Sequence, residues 1–378
     1  MAPIRVGIIG LSAKPAALSP GAWASTAFLP TFQNSPEYEI VALCNSSIEA
    51  ACRSIEFHQL PESTRAYGNP DELADDPEVD LIVISVVVTK HLDLALPALQ
   101  KRKQVFVEWP LGKTTQEAQQ MTELAKNYGL QTLVGLQARG DPAVVHLKAI
   151  IESGEIGEIK STSVLGTLFH IPPQFWVQGM EQYLDLKSGA NSFHVVFGHF
   201  LDSFTYIIGD FDTNSISSIL KTDTTEMAIY TPDRSKVAIP ACPKTAPDHI
   251  LVQGKLKSGA TASINFRTTQ ATLDGVGIRW IITGSKGEIE VTTAESNWQA
   301  YSPSRTLKVK VFGSETRNVD LQSVDLGVAA NVGRRGVNTA LLLDAFAKGK
   351  QDQLAGFEAA LKNHQLLDEI LKKSGVNF

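Results

Sequence analysis

The first 140 residues alternate continuous apolar runs with segments of helical periodicity. The apolar runs, typical of parallel strands buried on both faces, cover residues 5–10, 38–44, 80–88, 104–107 and 130–134. Helical patterns lie between them, over residues 23–32, 91–100 and 115–128. This alternation predicts βαβ units and a doubly wound α/β domain over residues 1–140.

After Gly157 the pattern changes to short alternating strands separated by turn pairs such as Ser258-Gly259. These strands are predicted at residues 160–166, 228–230, 250–254, 260–267 and 278–283, and a helix over residues 143–153 precedes them. We expect an α+β domain over residues 141–355 with a large, mostly antiparallel sheet. A last helix, within residues 356–378, is expected to return to the first domain. The fold class is therefore α/β followed by α+β.

Composition excludes several classes of function. Hydrophobic residues make up 43% and charged residues 20% of the chain, as in ordinary globular proteins. The net charge of -6 argues against direct nucleic-acid binding. The three cysteines lack ligand spacing, so neither a disulfide framework nor a metal site is predicted. Without a signal-peptide pattern or a membrane-length apolar run, a cytoplasmic or nuclear location is expected.

A glycine turn follows the first predicted strand and precedes a helix, which is the context of a dinucleotide-binding loop. The residues expected to contact the cofactor there are Gly10, Leu11, Ser12 and Trp23. Ser12 stands where a second glycine is usual, so the motif alone is weak.

The end of the second predicted strand discriminates between cofactors. An acidic residue there would bind the ribose 2′-hydroxyl of NAD, whereas this chain has Asn45, Ser46 and Ser47, with Arg53 shortly after. NADP is therefore favoured over NAD. The same residues also suit a helix N-cap, and the two roles are compatible.

Several motifs in order resemble the glucose-fructose oxidoreductase and inositol dehydrogenase family. They are the glycine turn, the stretch from Val86 to His91, the tripeptide Glu108-Trp109-Pro110 and a histidine in the second domain. Members transfer a hydride between a nicotinamide cofactor and a sugar, inositol or related alcohol. The resemblance implies cofactor contacts from Val86, Val87, His91, Glu108, Trp109, Pro110 and Gln137.

Within this family, the chain resembles the NADP-binding repressors of the fungal galactose regulon. Those proteins share the tryptophan at the position of Trp109 and a stretch like Pro243 to His249. Pro110 instead matches the enzymes of the family. A regulator that binds NADP and a protein partner is therefore the alternative to an enzyme.

The resemblance also places the catalytic residues. His199 falls on the family's catalytic histidine, with Asp202 on the same helix face, while Trp109 replaces the catalytic lysine. Val195 replaces an acidic residue one turn before the histidine. His199 is the predicted acid or base, and His194 is a poorer candidate because it lies a little more than one helical turn earlier.

Substrate contacts are predicted from position and side-chain type. The candidates are Arg139, Phe169, Trp176, Lys244 and His249. Aromatic residues could stack on a ring-shaped substrate or simply cover a sheet, and the polar segment near Lys244 suits either a cleft lining or a solvated turn. The leading hypothesis is an NAD(P)-dependent oxidoreductase acting on a cyclic alcohol, carbonyl or imine. A homodimer formed through the second-domain sheet is also expected.

Overall fold

A computed structural model of the protein describes residues 2–13, 22–168 and 175–376. Its first sheet is six-stranded and parallel. The strands are β1 (Ile4–Ile9), β2 (Tyr38–Cys44), β3 (Arg65–Tyr67), β4 (Leu81–Ile84), β5 (Gln104–Val107) and β6 (Thr132–Val134). They lie in the order β3-β2-β1-β4-β5-β6. Strand β4 is fully buried and β5 is buried after Gln104, as their continuous apolar runs predict.

Side-chain caps begin three of the helices around this sheet. Ser47, Asn69 and Thr114 each accept a hydrogen bond from a backbone N–H in the first turn that follows. The α-helices of the chain are α1 (Leu29–Asn34), α2 (Ile48–Phe57), α3 (Pro70–Asp75), α4 (His91–Gln100), α5 (Thr115–Asn127), α6 (Pro142–Glu152), α7 (Gly198–Ile208), α8 (Val337–Ala347) and α9 (Phe357–Lys373).

The second large sheet has eight strands in the order β17-β16-β15-β14-β7-β13-β12-β9. Only the β7 and β13 pair within it is parallel. A three-stranded sheet, β11-β10-β8, lies in the same part of the chain. The strands are β7 (Ile159–Thr167), β8 (Phe175–Val177), β9 (Ser217–Lys221), β10 (Glu226–Tyr230), β11 (Val237–Pro243), β12 (His249–Lys255), β13 (Thr261–Arg267), β14 (Ile278–Gly284), β15 (Gly287–Thr293), β16 (Thr306–Val311) and β17 (Arg317–Asn318). The predicted fold class is confirmed.

An aromatic core packs α7 against the eight-stranded sheet. Phe200 and Phe204 lie 5.3 and 5.6 Å from the Trp280 ring on β14, measured between ring centroids. Offset and edge contacts at such distances add to the free energy of burying these large side chains. The helix that carries His199 is therefore held in place by its aromatic side chains.

The chain divides into two compact units, and the division differs from the sequence prediction in one segment. Unit 1 contains Met1–Gly140 and Leu326–His364, and unit 2 contains Asp141–Asp325 and Gln365–Phe378. Residues 326–355, predicted to lie in the second domain, thus pack with the first. The reason is that α8 is apolar on most sides, so Leu342, Leu343 and Phe346 join the core of unit 1. The terminal helix α9 begins in unit 1 and ends in unit 2.

Across the described ranges, no helix is both long enough and apolar enough to span a membrane.

Candidate functional site

The glycine turn after β1 requires glycine at its first position. Gly10 has a φ of +99°, which side chains other than glycine's rarely tolerate, and an added Cβ would collide with the Ser85 carbonyl. Its amide donates to the Cys44 carbonyl at 3.2 Å. Leu11 is fully buried behind the turn. The turn therefore sits at the carboxyl edge of the sheet, where open α/β folds bind ligands.

Three side chains hold the carbonyl groups of this turn. The Asn45 amide and the Ser54 hydroxyl donate to the Leu11 carbonyl at 2.9 and 2.8 Å. The His58 ring nitrogen Nε2 lies 2.8 Å from the Ser12 carbonyl. Asn45 was predicted to contact the cofactor, and its amide nitrogen is bonded to the Leu11 carbonyl of the turn, so the direct contact stays a prediction.

The next residue, Ser46, is exposed beside the start of α2, and Arg53 is exposed further along that helix. Ser47 is occupied as the N-cap. Of the four residues predicted to select the cofactor, Ser46 and Arg53 are thus the two whose side chains face solvent.

His91 connects two loops of the carboxyl edge. Its Nδ1 lies 2.9 Å from the Pro110 carbonyl and its Nε2 lies 3.2 Å from the Val86 carbonyl. Burial lowers the pKa of His91, against the smaller opposing effect of these carbonyls. Val86 and Val87 are half-buried. His91 therefore positions the backbone that a cofactor would meet.

Glu108 lies at the end of β5 within a group of neutral donors. Its carboxylate accepts hydrogen bonds from the Trp23 indole at 2.8 Å and from the Gln137 amide at 3.0 Å. Gly135 permits this packing, because a Cβ there would overlap the carboxylate. Desolvation raises the pKa of Glu108 to about 7, although these hydrogen bonds oppose the shift. The group can therefore exchange a proton near neutral pH.

Trp109 is buried rather than displayed. It is 5% exposed, and its ring lies 4.8 Å from the His364 ring of α9 between centroids. The Trp109-Pro110 peptide bond is cis. An aromatic pair therefore stands where the family resemblance places a lysine ammonium.

Arg139, a predicted substrate contact, is also buried. Its guanidinium donates to the Leu354 carbonyl at 3.0 Å, within unit 1. This bond ties the segment after β6 to the chain preceding α9. Arg139 therefore helps to hold these two segments of unit 1 together.

In unit 2, His199 and Asp202 lie on α7 and are 4% and 2% exposed. Burial lowers the pKa of His199 to about 3, so its imidazole is neutral at physiological pH. A π-helical turn, Phe193–Phe197, directly precedes α7. His194 lies on that turn and is 8% exposed.

The polar segment before β12 is bonded within the protein. The Lys244 ammonium contacts the Asp248 carboxylate at 2.9 Å and donates to the Ala246 carbonyl at 2.6 Å, and both partners of the ion pair are nearly buried. His249 pairs with Asp223 at 2.7 Å. The near burial of Lys244 and Asp248 differs from the solvated turn that was the alternative to a cleft lining, because both side chains find partners within the protein.

Trp176 lies in a small apolar cluster with Leu184, Met227 and Ile229, on the three-stranded sheet. Its indole donates to the Met180 carbonyl at 2.6 Å. Phe169 lies outside the described residues.

Sequence reasoning missed His58, Ser54 and Asn191. Ser54 and His58 contact backbone carbonyls of the glycine turn, and Asn191 contacts the His194 ring. Only Asn191 could have been suspected from the sequence, because asparagine is common at helix starts.

Two family models match this chain, and the boundary between their matches lies near the boundary between units 1 and 2. Residues 4–136 match the family model described as the oxidoreductase family with an NAD-binding Rossmann fold. Residues 142–293 match the model of the Gal80p C-terminal domain. The first part of the chain is therefore similar to this oxidoreductase family, and the part after it is similar to the Gal80p C-terminal domain.

Two relatives illustrate the range of the family. The dehydrogenase aclE of Aspergillus oryzae is 28% identical over 377 residues, which cover 98% of this chain and 96% of that protein. The galactose/lactose metabolism regulatory protein GAL80 of Kluyveromyces lactis is 31% identical over 265 residues. That match covers 68% of this chain and 56% of the regulator, little more than half of its length.

Solved structures of a regulator and of a dehydrogenase share the fold. A super-repressor mutant of Gal80p from Saccharomyces cerevisiae superimposes with a TM-score of 0.84 at 24% identity, over 99% of this chain and 96% of that one. Levoglucosan dehydrogenase, in complex with NADH and levoglucosan, superimposes with a TM-score of 0.73 at 18% identity, over 98% and 96% of the two chains. The protein therefore has an NAD(P)-binding Rossmann fold that is found in both dehydrogenases and regulators.

Proposed function

We propose that this protein is an NADP-dependent oxidoreductase acting on a cyclic alcohol, carbonyl or imine. The observation that carries the proposal is the carboxyl edge of the six-stranded sheet. There the turn at Gly10 is held by side chains, and Glu108 is held by Trp23 and Gln137. This edge fits a dinucleotide, whose pyrophosphate would meet the backbone of the glycine turn. The dehydrogenase relative that matches along its whole length supports the same function.

The cofactor preference rests on the end of β2. Ser46 and Arg53 are exposed, and the three positions directly after the strand hold Asn45, Ser46 and Ser47, with the first carboxylate, Glu49, in the first turn of α2. The N-terminus of α2 adds a favourable field for an anion beside Ser46. The phosphorylated cofactor is therefore preferred.

His199 is the proposed acid or base. When bound, the nicotinamide would accept or supply the hydride, and the protein must handle only the proton. Burial lowers the pKa of His199 to about 3, so its imidazole is neutral in the free protein and holds no proton to donate, while the same low pKa makes it a weak base.

Turnover tests this function. The purified protein is incubated with NADP and a panel of cyclic alcohols, and with NADPH and the corresponding ketones and imines, while nicotinamide absorbance is followed. We expect alcohol oxidation that His199→Ala lowers by about a hundredfold or more, since general base catalysis contributes roughly that much. His146→Ala, on α6, serves as the matched control. Turnover that survives His199→Ala would remove His199 from the chemistry.

A second candidate function, a regulator that binds NADP and a protein partner, is favoured by Trp109. Its buried ring makes a tilted aromatic contact with His364 where a dehydrogenase of the family has a proton-handling lysine. The match of residues 142–293 to the Gal80p C-terminal domain supports it as well. Cofactor binding without turnover of any compound in the panel, together with binding of a transcription-activator peptide, would favour this function. Either function is compatible with the cytoplasm or the nucleus.

A further inference from the structure

The strand order of the first sheet separates the two halves of a dinucleotide bound at its carboxyl edge. The glycine turn follows β1, and the exposed residues Ser46 and Arg53 follow β2 on one side of it. Glu108 follows β5, on the other side of β1. A dinucleotide with its pyrophosphate at the glycine turn and its 2′-phosphate beside Ser46 would therefore extend its nicotinamide half towards the ends of β4 and β5, where Glu108 lies.

The hydrogen bonds that the described residues donate to the Glu108 carboxylate come from neutral groups. The Trp23 indole donates to Oε1 at 2.8 Å. The Gln137 amide donates to both carboxylate oxygens, at 3.2 and 3.0 Å. Neutral donors hold a carboxylate in one orientation without cancelling its charge. An ionised Glu108 therefore presents a net negative charge at the nicotinamide end of the site.

The ionisable side chains of the surrounding elements that the structure describes do not form an ion pair with this carboxylate. His91 and Arg139 contact backbone carbonyl oxygens, at 2.9 and 3.0 Å. The His364 ring packs on the indole of the residue after Glu108. Lys90 and Lys113, on the loops after β4 and β5, are exposed. The charge of the carboxylate is thus left for a ligand to meet.

The charge of Glu108 changes within the physiological range. Burial raises the pKa of Glu108 to about 7, so the ionised fraction rises steeply between pH 6 and pH 8. An oxidised nicotinamide ring carries a positive charge and a reduced ring is neutral, whereas the phosphates and riboses of the two forms are the same. A buried carboxylate can distinguish the two rings by charge, because Coulomb interactions are stronger in a site with little water than in bulk solvent.

We propose that Glu108 is a specificity-determining residue for the oxidation state of the cofactor, whose ionised carboxylate makes the protein bind NADP more tightly than NADPH. This inference rests on the proposed function, because it requires that the first domain binds this dinucleotide. Protonation of Glu108 removes most of the preference, so the preference increases with pH. By linkage, NADP favours the ionised carboxylate and releases a proton when it binds. The site thereby holds the cofactor in the form that accepts a hydride.

The preference is tested by calorimetric titration of the full-length protein with NADP and with NADPH at pH 6 and pH 8. The ratio of the NADPH to the NADP dissociation constant cancels the contributions of the phosphates, which both cofactors share. We expect a ratio of about ten at pH 8 and about two at pH 6 for the wild type. The wild type needs no substitution to give this result. A ratio that is the same at both pH values would overturn the inference.

Substitution then assigns the preference to Glu108. In Glu108→Gln the ratio should be small and equal at the two pH values, while Glu123→Gln, at an exposed position of α5, should behave as the wild type. A pH-dependent ratio that survives in Glu108→Gln overturns the inference, because another group would then carry the charge.

Proton release gives an independent measurement on the wild type. Titrations at pH 7 in two buffers of different ionisation enthalpy yield the number of protons released with each cofactor. NADP should release about 0.4 proton more than NADPH, as a roughly tenfold preference for the ionised carboxylate requires. Equal release overturns the inference and leaves the proposed function standing. Failure of both cofactors to bind overturns the proposed function and this inference with it.

Discussion

Glu108 is the residue whose environment most clearly links stability to pH. Its pKa is raised from 4.5 to about 7 by desolvation, so the folded state binds its proton more tightly than the unfolded chain does. The associated stability is present below pH 4.5 and is lost as the pH rises through about 7. The loss amounts to at most about 3 kcal/mol, since one pKa unit corresponds to about 1.4 kcal/mol.

Replacing Glu108 by glutamine removes this titration. The Gln137 amide can turn so that its carbonyl oxygen, which has no hydrogen-bond partner among the described residues, accepts from the new amide. We therefore expect Glu108→Gln to be more stable than the wild type at pH 8 by about 1 to 3 kcal/mol, and to lose this advantage at pH 5. Urea unfolding at both pH values measures the difference. Glu123→Gln, on α5, is the control, and a constant difference between the two pH values would contradict this account.

Cofactor choice is also decided by single residues, and here the structure refines the sequence prediction. Ser46→Asp places a carboxylate where the 2′-phosphate is expected, so the ratio of NADP to NAD affinity should fall about tenfold or more, by loss of phosphate attraction and added repulsion. Asn45→Asp should instead weaken both cofactors alike, because it removes the amide donor to Leu11. Titration of tryptophan fluorescence with each cofactor gives the affinities. If Asn45→Asp lowered the ratio and Ser46→Asp weakened both cofactors alike, Asn45 would contact the 2′-phosphate directly.

Single-residue chemistry was only partly predictable from the sequence. The glycine turn and Glu108 follow directly after strands, so their place at the sheet edge could be inferred. The burial of Lys244 and Arg139 could not, because their partners Asp248 and Leu354 are brought to them by turns and by packing. Long cationic side chains are usually solvated, and the sequence alone does not reveal such an exception.

Among the elements, buried strands and amphipathic helices were predicted best. The helix His91–Gln100 and the strand Gln104–Val107 have the predicted bounds, because apolar periodicity and burial coincide there. The π-helical turns Ala24–Phe28 and Phe193–Phe197 were not predicted, since their residues have ordinary helical patterns. A π-helical turn contains one residue more than an α-helical turn, and tertiary packing decides where along a helix it forms.

A substitution in the segment between β11 and β12 tests whether the polar residues there stabilise the folded protein. Lys244→Met leaves the Asp248 carboxylate nearly buried without its cation, so the variant should lose about 3 kcal/mol of unfolding free energy. Urea unfolding measures this loss, and Lys257→Met, at an exposed ion pair, is the control. We expect the substrate KM to be unchanged. A raised KM with unaltered stability would instead assign Lys244 to the substrate cleft.

At the scale of the whole molecule, the second large sheet presents a row of mostly apolar residues, two of which are exposed. Leu165 and Ile219 are 44% and 58% exposed, and cross-strand pairing through Leu251 and Asn265 places them in one row across four strands. Uncovered apolar surface of this kind marks interaction sites. We predict that a second copy of the chain covers it in a two-fold symmetric dimer.

Light scattering tests the dimer. At micromolar concentration the wild type should have twice the chain mass of 40.9 kDa. Introducing Leu165→Arg and Ile219→Arg together should halve the measured mass, whereas Leu273→Arg, at a fully exposed leucine outside the strands, should not. A wild type with the mass of one chain would remove the prediction.

The order of the two units along the chain was predicted in outline. The change of pattern near Gly157 separates a doubly wound region from a strand-rich one, because parallel and antiparallel sheets have different hydrophobic periods. The return of residues 326–364 to unit 1 was not predicted for its first thirty residues. The sequence of an apolar helix such as α8 does not show which of the two hydrophobic cores the helix will join.

The central claim is that the protein oxidises or reduces a substrate rather than only binding a cofactor. Its most direct test is the transfer of deuterium from a cyclic alcohol, deuterated at the hydroxyl-bearing carbon, to NADP, followed by mass spectrometry of the nicotinamide product. The account predicts deuterium in the product with the wild type and almost none with His199→Ala at the same cofactor occupancy. Saturating cofactor binding with no deuterium transfer from any alcohol of the panel would contradict it.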